Sequence, residues 1–191
     1  MAINKTTYVA MDLEFNQPFD FARGVPKTPH PSLSFEIIQI GLVLMDSSME
    51  VHGTMELNVR PKLYHRVHPY VARITGISAA DLEGCPNFPQ CWGKVMKLLG
   101  GGAPTFAVWG GSDISLLYKN IGFHRLSDGG MLQKFIDVQQ LANKYFKAGG
   151  GASIGLKTAV ERLKIPQELP YHSALNDAIY TARVLKTLGE A

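Results

Sequence analysis

The stretch Phe35–Met45, Phe-Glu-Ile-Ile-Gln-Ile-Gly-Leu-Val-Leu-Met, limits the fold more than any other part of this chain. It is a near-continuous apolar run rich in β-branched residues, closed by the turn sequence Asp46-Ser47-Ser48. It is far shorter than the ~20 residues that span a bilayer. A strand with one face in water would alternate apolar and polar residues, and this one does not. It therefore predicts a central strand covered on both faces, with other layers above and below. Met49–Val59 returns after so short a turn that it should pair antiparallel.

The rest of the chain supplies those layers. Thr7–Phe15 reads as an earlier strand. Residues 16–34 carry Pro18, Pro26, Pro29 and Pro31 and read as a long loop, a kind of segment that is often functional. A basic loop and short helix follow. Phe88–Leu99 has helical apolar spacing and stops at Gly100-Gly101-Gly102. A β/α alternation then begins. Thr105–Trp109 and Phe135–Asp137 are short strands; helices run from Ser112 as cap to Asn120, with Gly122 after its end, and over Val138–Phe146. After a Gly-rich connection at 148–152, the final helices cover Ile154–Leu163 and Ser173–Leu188. The expectation is an α/β fold: a mixed sheet, its first strands antiparallel and later ones parallel, flanked by helices. No repeat or linker divides the chain, so residues 1–191 are expected to form one domain.

Composition excludes a disordered chain: 46% of residues are hydrophobic and only 18% charged. A net charge of +3 is mild, but its distribution is uneven. Between Leu57 and Ala80 there is no acid, while Arg60, Lys62, Arg66 and Arg73 fall there with His65, His68, Tyr64 and Tyr70. Such a stretch can follow a phosphate backbone or form a solvated loop. His65 and His68 have a metal-site spacing but lack nearby partner ligands. Cys85 and Cys91 are too few for a disulfide framework and are expected to be free thiols. With no signal-peptide pattern and no membrane-length apolar run, a soluble cytoplasmic protein is expected.

Three groups of residues carry chemistry. Asp12 and Glu14 alternate in a very apolar strand, so both side chains share one face. Two carboxylates beside a core repel each other and resist desolvation, and a cation between them relieves both. The second group is Trp109-Gly-Gly-Ser-Asp113 after a buried strand, where the glycines allow close backbone approach. The third is His172-Ser-Ala-Leu-Asn-Asp177, with Ser173 as cap and Asp177 about one turn into the last helix. Asp113 and Asp177 singly also suit the positive end of any helix.

Taken together, the three groups resemble the DEDDh branch of the DnaQ-like 3′-to-5′ exonucleases. That pattern has Asp-x-Glu in a first strand, Asp after a middle strand and His-x4-Asp near the C-terminal end. Arg73-Ile-Thr-Gly-Ile77 and Cys85-Pro-Asn-Phe88 extend the likeness across nearly the whole chain. The resemblance implies a ribonuclease H-like fold. It also implies two divalent cations, Mg²⁺ or Mn²⁺, held by Asp12, Glu14, Asp113 and Asp177, with His172 as general base. Where many DNA-proofreading members have Thr-Thr-Gly after the first motif, this chain has Phe15-Asn16-Gln17. Asp12-Leu-Glu-Phe15, Glu36-Ile-Ile-Gln-Ile-Gly41 and Trp109–Asp113 are closer to exoribonucleases that trim histone messenger and small interfering RNA.

The expected substrate is the 3′ end of single-stranded RNA or DNA, RNA favoured, released as nucleoside 5′-monophosphates. Phe15, Leu13 and Arg73 are the candidate substrate contacts, although Leu13, opposite the acids, also suits the core. No membrane partner is expected, and a homodimer would be compatible with an enzyme of this kind. The competing readings are a DNA exonuclease for proofreading or repair and an inactive nucleic-acid-binding module on the same fold.

Overall fold

The computed structural model describes residues 6–100, 102–130, 132–148 and 153–189. The expected features at residues 1–5, at Gly101 and at 149–152 lie outside them. In chain order the elements are β1 (Tyr8–Asn16), β2 (Phe19–Asp20), β3 (Val25–Pro26), β4 (Glu36–Met45), β5 (Val51–Asn58), α1 (Pro69–Thr75), α2 (Ala79–Glu83) and α3 (Phe88–Leu99). Then come β6 (Thr105–Val108), α4 (Ser112–Phe123), β7 (Phe135–Asp137), α5 (Val138–Tyr145), α6 (Leu156–Arg162) and α7 (Ala174–Gly189).

Five strands form one sheet in the order β5-β4-β1-β6-β7. β4 runs antiparallel to both β5 and β1, and β6 and β7 run parallel to β1. The sheet is mixed as expected, and all ten residues of β4 are buried. Val9, Met11 and Leu13 on one face of β1 pack with α3 and α4. Ala10 and Val43 on the other face pack with α5, α6 and α7. Asp12 and Glu14 belong by alternation to this second face, near the start of α7.

A β-bulge re-aims β4 beside these acids. Glu14 pairs with Gln39 but Phe15 pairs with Ile37, so Ile38 is the extra residue. Ile38 turns into a separate small core with Val67 and Val71 of the basic segment and α1. The buried Asn120 of α4 secures the start of β4, its Oδ1 accepting from Ile37 N at 3.2 Å and its Nδ2 donating to the Phe35 carbonyl at 3.1 Å.

Some elements differ from their sequence patterns. The loop at 16–34 contains a small antiparallel ribbon, with Phe19 opposite Pro26 and Asp20 opposite Val25. Asp20 Oδ1 accepts from the amides of Ala22 and Arg23, and Gly24 at φ 69° closes the turn. Proline is tolerated at this ribbon edge because no donor is needed there. The basic stretch contains α1 and ends within α2, two short helices where one was expected. Ser112 is not the cap of α4: Gly111 holds that position without a side-chain bond. The helix also passes through Gly122. It ends when Arg125 takes φ 55°, with Arg125 N donating to the Gly122 carbonyl and Leu126 N to that of Ile121.

Among the described glycines, the tightest approach is at Gly41, where α7 meets β4. A Cβ placed on Gly41 would stand 2.1 Å from the Ala174 carbonyl carbon. Helix backbone thus rests directly on strand backbone, next to Asp12, which pairs with Gly41 across the sheet. Gly41→Ala is expected to destabilise the protein by about 3 kcal/mol or more in chemical denaturation, at the upper end of overpacking effects. Gly53→Ala, where the nearest atom is a movable Leu44 methyl at 3.2 Å, should have a smaller effect.

Candidate active site

Four carboxylates converge from three elements of the fold. Asp12 and Glu14 stand on β1. Asp113 enters from the first turn of α4, after the turn at Gly110, whose φ is 84°. Asp177 stands in the first turn of α7. Asp113 and Asp177 are 8% and 9% exposed, which is rare for charged side chains without a counter-charge.

Their electrostatics record the crowding. Burial, followed by the charges of Asp113, Asp177 and Glu14, holds Asp12 well above the usual carboxylate range. Burial and the charges of Asp177 and Asp113 push Glu14 up to about 7. Burial and Asp177 push Asp113 up to about 7 as well. Burial also raises Asp177, offset by the backbone N–H and the charge of His172. Among the described residues, no lysine or arginine figures in the groups acting on these acids; His172 acts on Asp177.

His172 sits at the mouth of the cluster. It is exposed, in the left-handed region at φ 65°, and its backbone N donates to Asp177 Oδ2 at 3.1 Å. One ligand atom from each of Glu14, His172 and Asp177 lies within 4.8 Å of the others. Asp177 Oδ1 is buried without a hydrogen-bond partner. An orphaned carboxylate oxygen among mutually repelling acids fits a hard divalent cation such as Mg²⁺ or Mn²⁺, which prefers oxygen ligands.

Several residues that position this site were not singled out from the sequence. Gln39 caps α7, its Oε1 accepting from Ala174 N at 2.9 Å while its Nε2 donates to Asn58 Oδ1 at 3.0 Å. Ser173, the expected cap, donates its hydroxyl to Glu56 Oε1 at 3.0 Å. Asn16, two residues beyond Glu14, is fully buried and ties down the basic segment. It donates to the carbonyls of Tyr64 and Arg66 and accepts from His68 N. Glu36, 1% exposed, accepts from the amides of Lys62, Leu63 and Tyr64. The available signal was a polar residue interrupting an apolar strand, as Glu36 and Gln39 do.

The expected substrate contacts separate. Leu13 is 4% exposed and packs in the core, so it has no surface to offer a base; its backbone N–H instead bonds the Asp12 carboxylate. This corrects its assignment as a contact. Phe15 is half-buried against the same layer. Arg73 is exposed in the last turn of α1, its guanidinium 5.3 Å from the Tyr70 ring centroid. His68 is occupied in capping α1, its Nδ1 accepting from Tyr70 N, and its ring packs on Phe19 of the small ribbon. Both cysteines are free, as expected.

The RNase_T family model, described as exonuclease, matches residues 9–185. Rat 3′-5′ exoribonuclease 1 is 26% identical over 157 residues, 78% of this chain, and the human protein of that name is 24% identical over 173 residues, 86% of this chain. The chain spans about half the length of these curated relatives, 45% and 49%. Among solved structures, the nuclease domain of 3′hExo, a DEDDh family member bound to rAMP, superposes with a TM-score of 0.81 at 22% identity, over 99% of this chain and 94% of that one. The Mg²⁺- and Mn²⁺-bound form of Pop2p from S. pombe gives 0.67 at 20% identity, over 96% and 83%. These solved structures share the ribonuclease H-like fold.

The raised acids make stability depend on pH in a defined direction. Between the ordinary value of 3.8 for Asp113 and about 7 in the fold, the native state binds more protons than the unfolded chain. Its contribution therefore becomes more unfavourable as pH rises through that window and is constant above it. In EDTA, Asp113→Asn should raise Tm relative to the wild type, by more at pH 8 than at pH 5. Adding Mn²⁺ should raise the wild-type Tm at pH 8 and leave the variant less affected.

Proposed function

We propose, because the chain belongs to the RNase_T exonuclease family, that it removes nucleotides from the 3′ end of single-stranded nucleic acid, RNA in preference to DNA, by metal-dependent hydrolysis. The observation that carries this reading is the convergence of buried carboxylates on which, among the described residues, no lysine or arginine acts, with one Asp177 oxygen left without a partner there. The preference for RNA draws on the curated relatives, which are exoribonucleases, and on the DEDDh nuclease domain bound to rAMP. Residues 1–191 form one exonuclease domain in this reading.

Asp12, Glu14, Asp113 and Asp177 hold two divalent cations, Mg²⁺ or Mn²⁺; Pop2p binds both. When bound, such ions polarise phosphoryl oxygens and lower the pKa of water. His172 is the general base. Its exposed ring stands beside Glu14 and Asp177, where water and phosphodiester would meet, and an imidazole nitrogen can accept a proton there. It accepts the proton of the attacking water as the new P–O bond forms. The bond from phosphorus to the 3′ oxygen of the preceding nucleotide breaks, that oxygen is protonated, and a nucleoside 5′-monophosphate leaves. The hydrogen bond from His172 N to Asp177 Oδ2 holds the base at its position relative to the acids.

A time course with 5′-labelled single-stranded RNA and matched DNA, in Mn²⁺, tests the reading. A ladder shortening from the 3′ end, RNA before DNA, is expected. Equal or faster loss of DNA would favour a DNA exonuclease for proofreading or repair, and no cleavage of either would favour a binding module. His172→Ala should lower kcat about 10²- to 10⁴-fold, the usual range for a general base, with RNA affinity retained. Near-normal activity of Asp12→Ala would rule out the metal assignment.

A further inference from the structure

A hollow of about 770 Å³ lies between the basic segment, α2 and the start of α3, and none of the four active-site acids lines it. Arg60, Lys62 and His65 form one wall and Leu82 and Pro89 part of the apolar wall, with His124 also lining it. The size suits a small ligand. All three residues of the basic wall are exposed, and neither Arg60 nor Lys62 pairs with a carboxylate among the described residues. Lys62 Nζ lies 5.5 Å from the Phe123 ring centroid. Glu83, on the rim, is the one acid lining the hollow.

Two further features border the hollow. His124 Nε2 is buried and has no hydrogen-bond partner, although its ring is held between Phe88 and Phe123. The first turn of α3, which opens at the hollow with Asn87 and Pro89, carries no acid to oppose its partial positive charge. The basic wall is also preorganised. Glu36 fixes the amides of residues 62–64, and Asn16 holds the carbonyls of Tyr64 and Arg66 on either side of His65. The same short segment thus joins the hollow to Asn16, two residues from Glu14.

We propose that this hollow binds nucleotide phosphate, with Arg60 and Lys62 as the anionic contacts and the apolar wall against the sugar or base. Its source is the strand whose 3′ end sits at the acids, upstream of that end, or a free nucleoside monophosphate. The strand assignment rests on the exonuclease reading above; the phosphate assignment does not.

The test uses the full chain and the double variant Arg60→Gln/Lys62→Gln. Anisotropy of 5′-fluorescein single-stranded RNA in EDTA should show a rise in Kd of about tenfold, and a salt dependence shallower by about 1.4 in slope for two lost phosphate contacts. Glu83→Gln should shift Kd the opposite way. Calorimetric titration with AMP in EDTA separates the sources. A site lost in the double variant assigns free nucleotide, whereas weakened RNA binding without any AMP site assigns the strand. Turnover in Mn²⁺ of the p-nitrophenyl ester of thymidine 5′-monophosphate, which needs only the four acids and His172, should keep its kcat and KM in the double variant. Unchanged RNA and AMP binding in the double variant would overturn the proposal. So would an equal fall in reporter kcat at unchanged Tm, which would place Arg60 and Lys62 at the acids. If the wild type hydrolyses neither RNA nor the reporter, the exonuclease reading fails while the binding result in EDTA still decides the phosphate site.

Discussion

The contact of α7 with β4 at Gly41 governs the rest of the arrangement. Helices pack on sheets through side chains, which keep the two backbones apart. Here the Ala174 carbonyl carbon lies 2.1 Å from where a β-carbon on Gly41 would be, so no side chain separates the two backbones. The free amide at the helix start is taken by Gln39, two residues back along the same strand. Contact and cap together fix where α7 begins; its first turn carries Asp177, and His172 stands two residues before it. Because Gly41 pairs with Asp12, the same contact sets the distance between helix acid and strand acids.

That geometry has an electrostatic consequence. Four acids brought into a partly dry space oppose one another, and burial adds to the opposition. A chain selected for stability alone would place neutral side chains there. The rest of the fold tolerates the conflict because it is well satisfied elsewhere: β4 is buried along its whole length and apolar layers cover both faces of the sheet. The strain is therefore local, and it is relieved by whatever positive charge enters between the acids.

A second pair of buried polar residues does for the basic segment what Gln39 does for α7. Asn16 and Glu36 stand at the paired ends of β1 and β4, opposite each other in register. Each spends its hydrogen bonds on the backbone of residues 62–68, a segment with little regular structure before α1. A carboxylate held by backbone amides has its oxygens satisfied without consuming a neighbouring cation. The lysine and arginine side chains of the segment are left to face outward.

Much of this was legible in the sequence, for reasons that are local. The apolar continuity of residues 35–45 reveals a covered central strand because burial on both faces leaves no polar period. Alternation places Asp12 and Glu14 on one face because strand geometry has period two. Turn and cap rules did less well at Ser112, Ser173 and Gly122. A cap hydrogen bond competes with whatever the fold brings nearby, and Glu56 reached Ser173 first. The proline-rich loop concealed a ribbon because pairing two residues against two depends on a turn, not on composition.

By itself the sequence determined which residue types are available, the elements that carry them and the layer order those elements require. It also carried the order of acids and histidine along the chain. Tertiary structure alone decided that Leu13 is core, that Asn16, Glu36 and Gln39 bind backbone, and that Asp177 keeps one oxygen without a partner. It also decided that Arg60 and Lys62 share a hollow with a buried, unpartnered imidazole nitrogen. The physical reason is range. Periodicity and turn chemistry act over a few neighbouring residues, whereas these contacts join residues from 26 to 135 positions apart, and only the closed sheet brings them within hydrogen-bond distance.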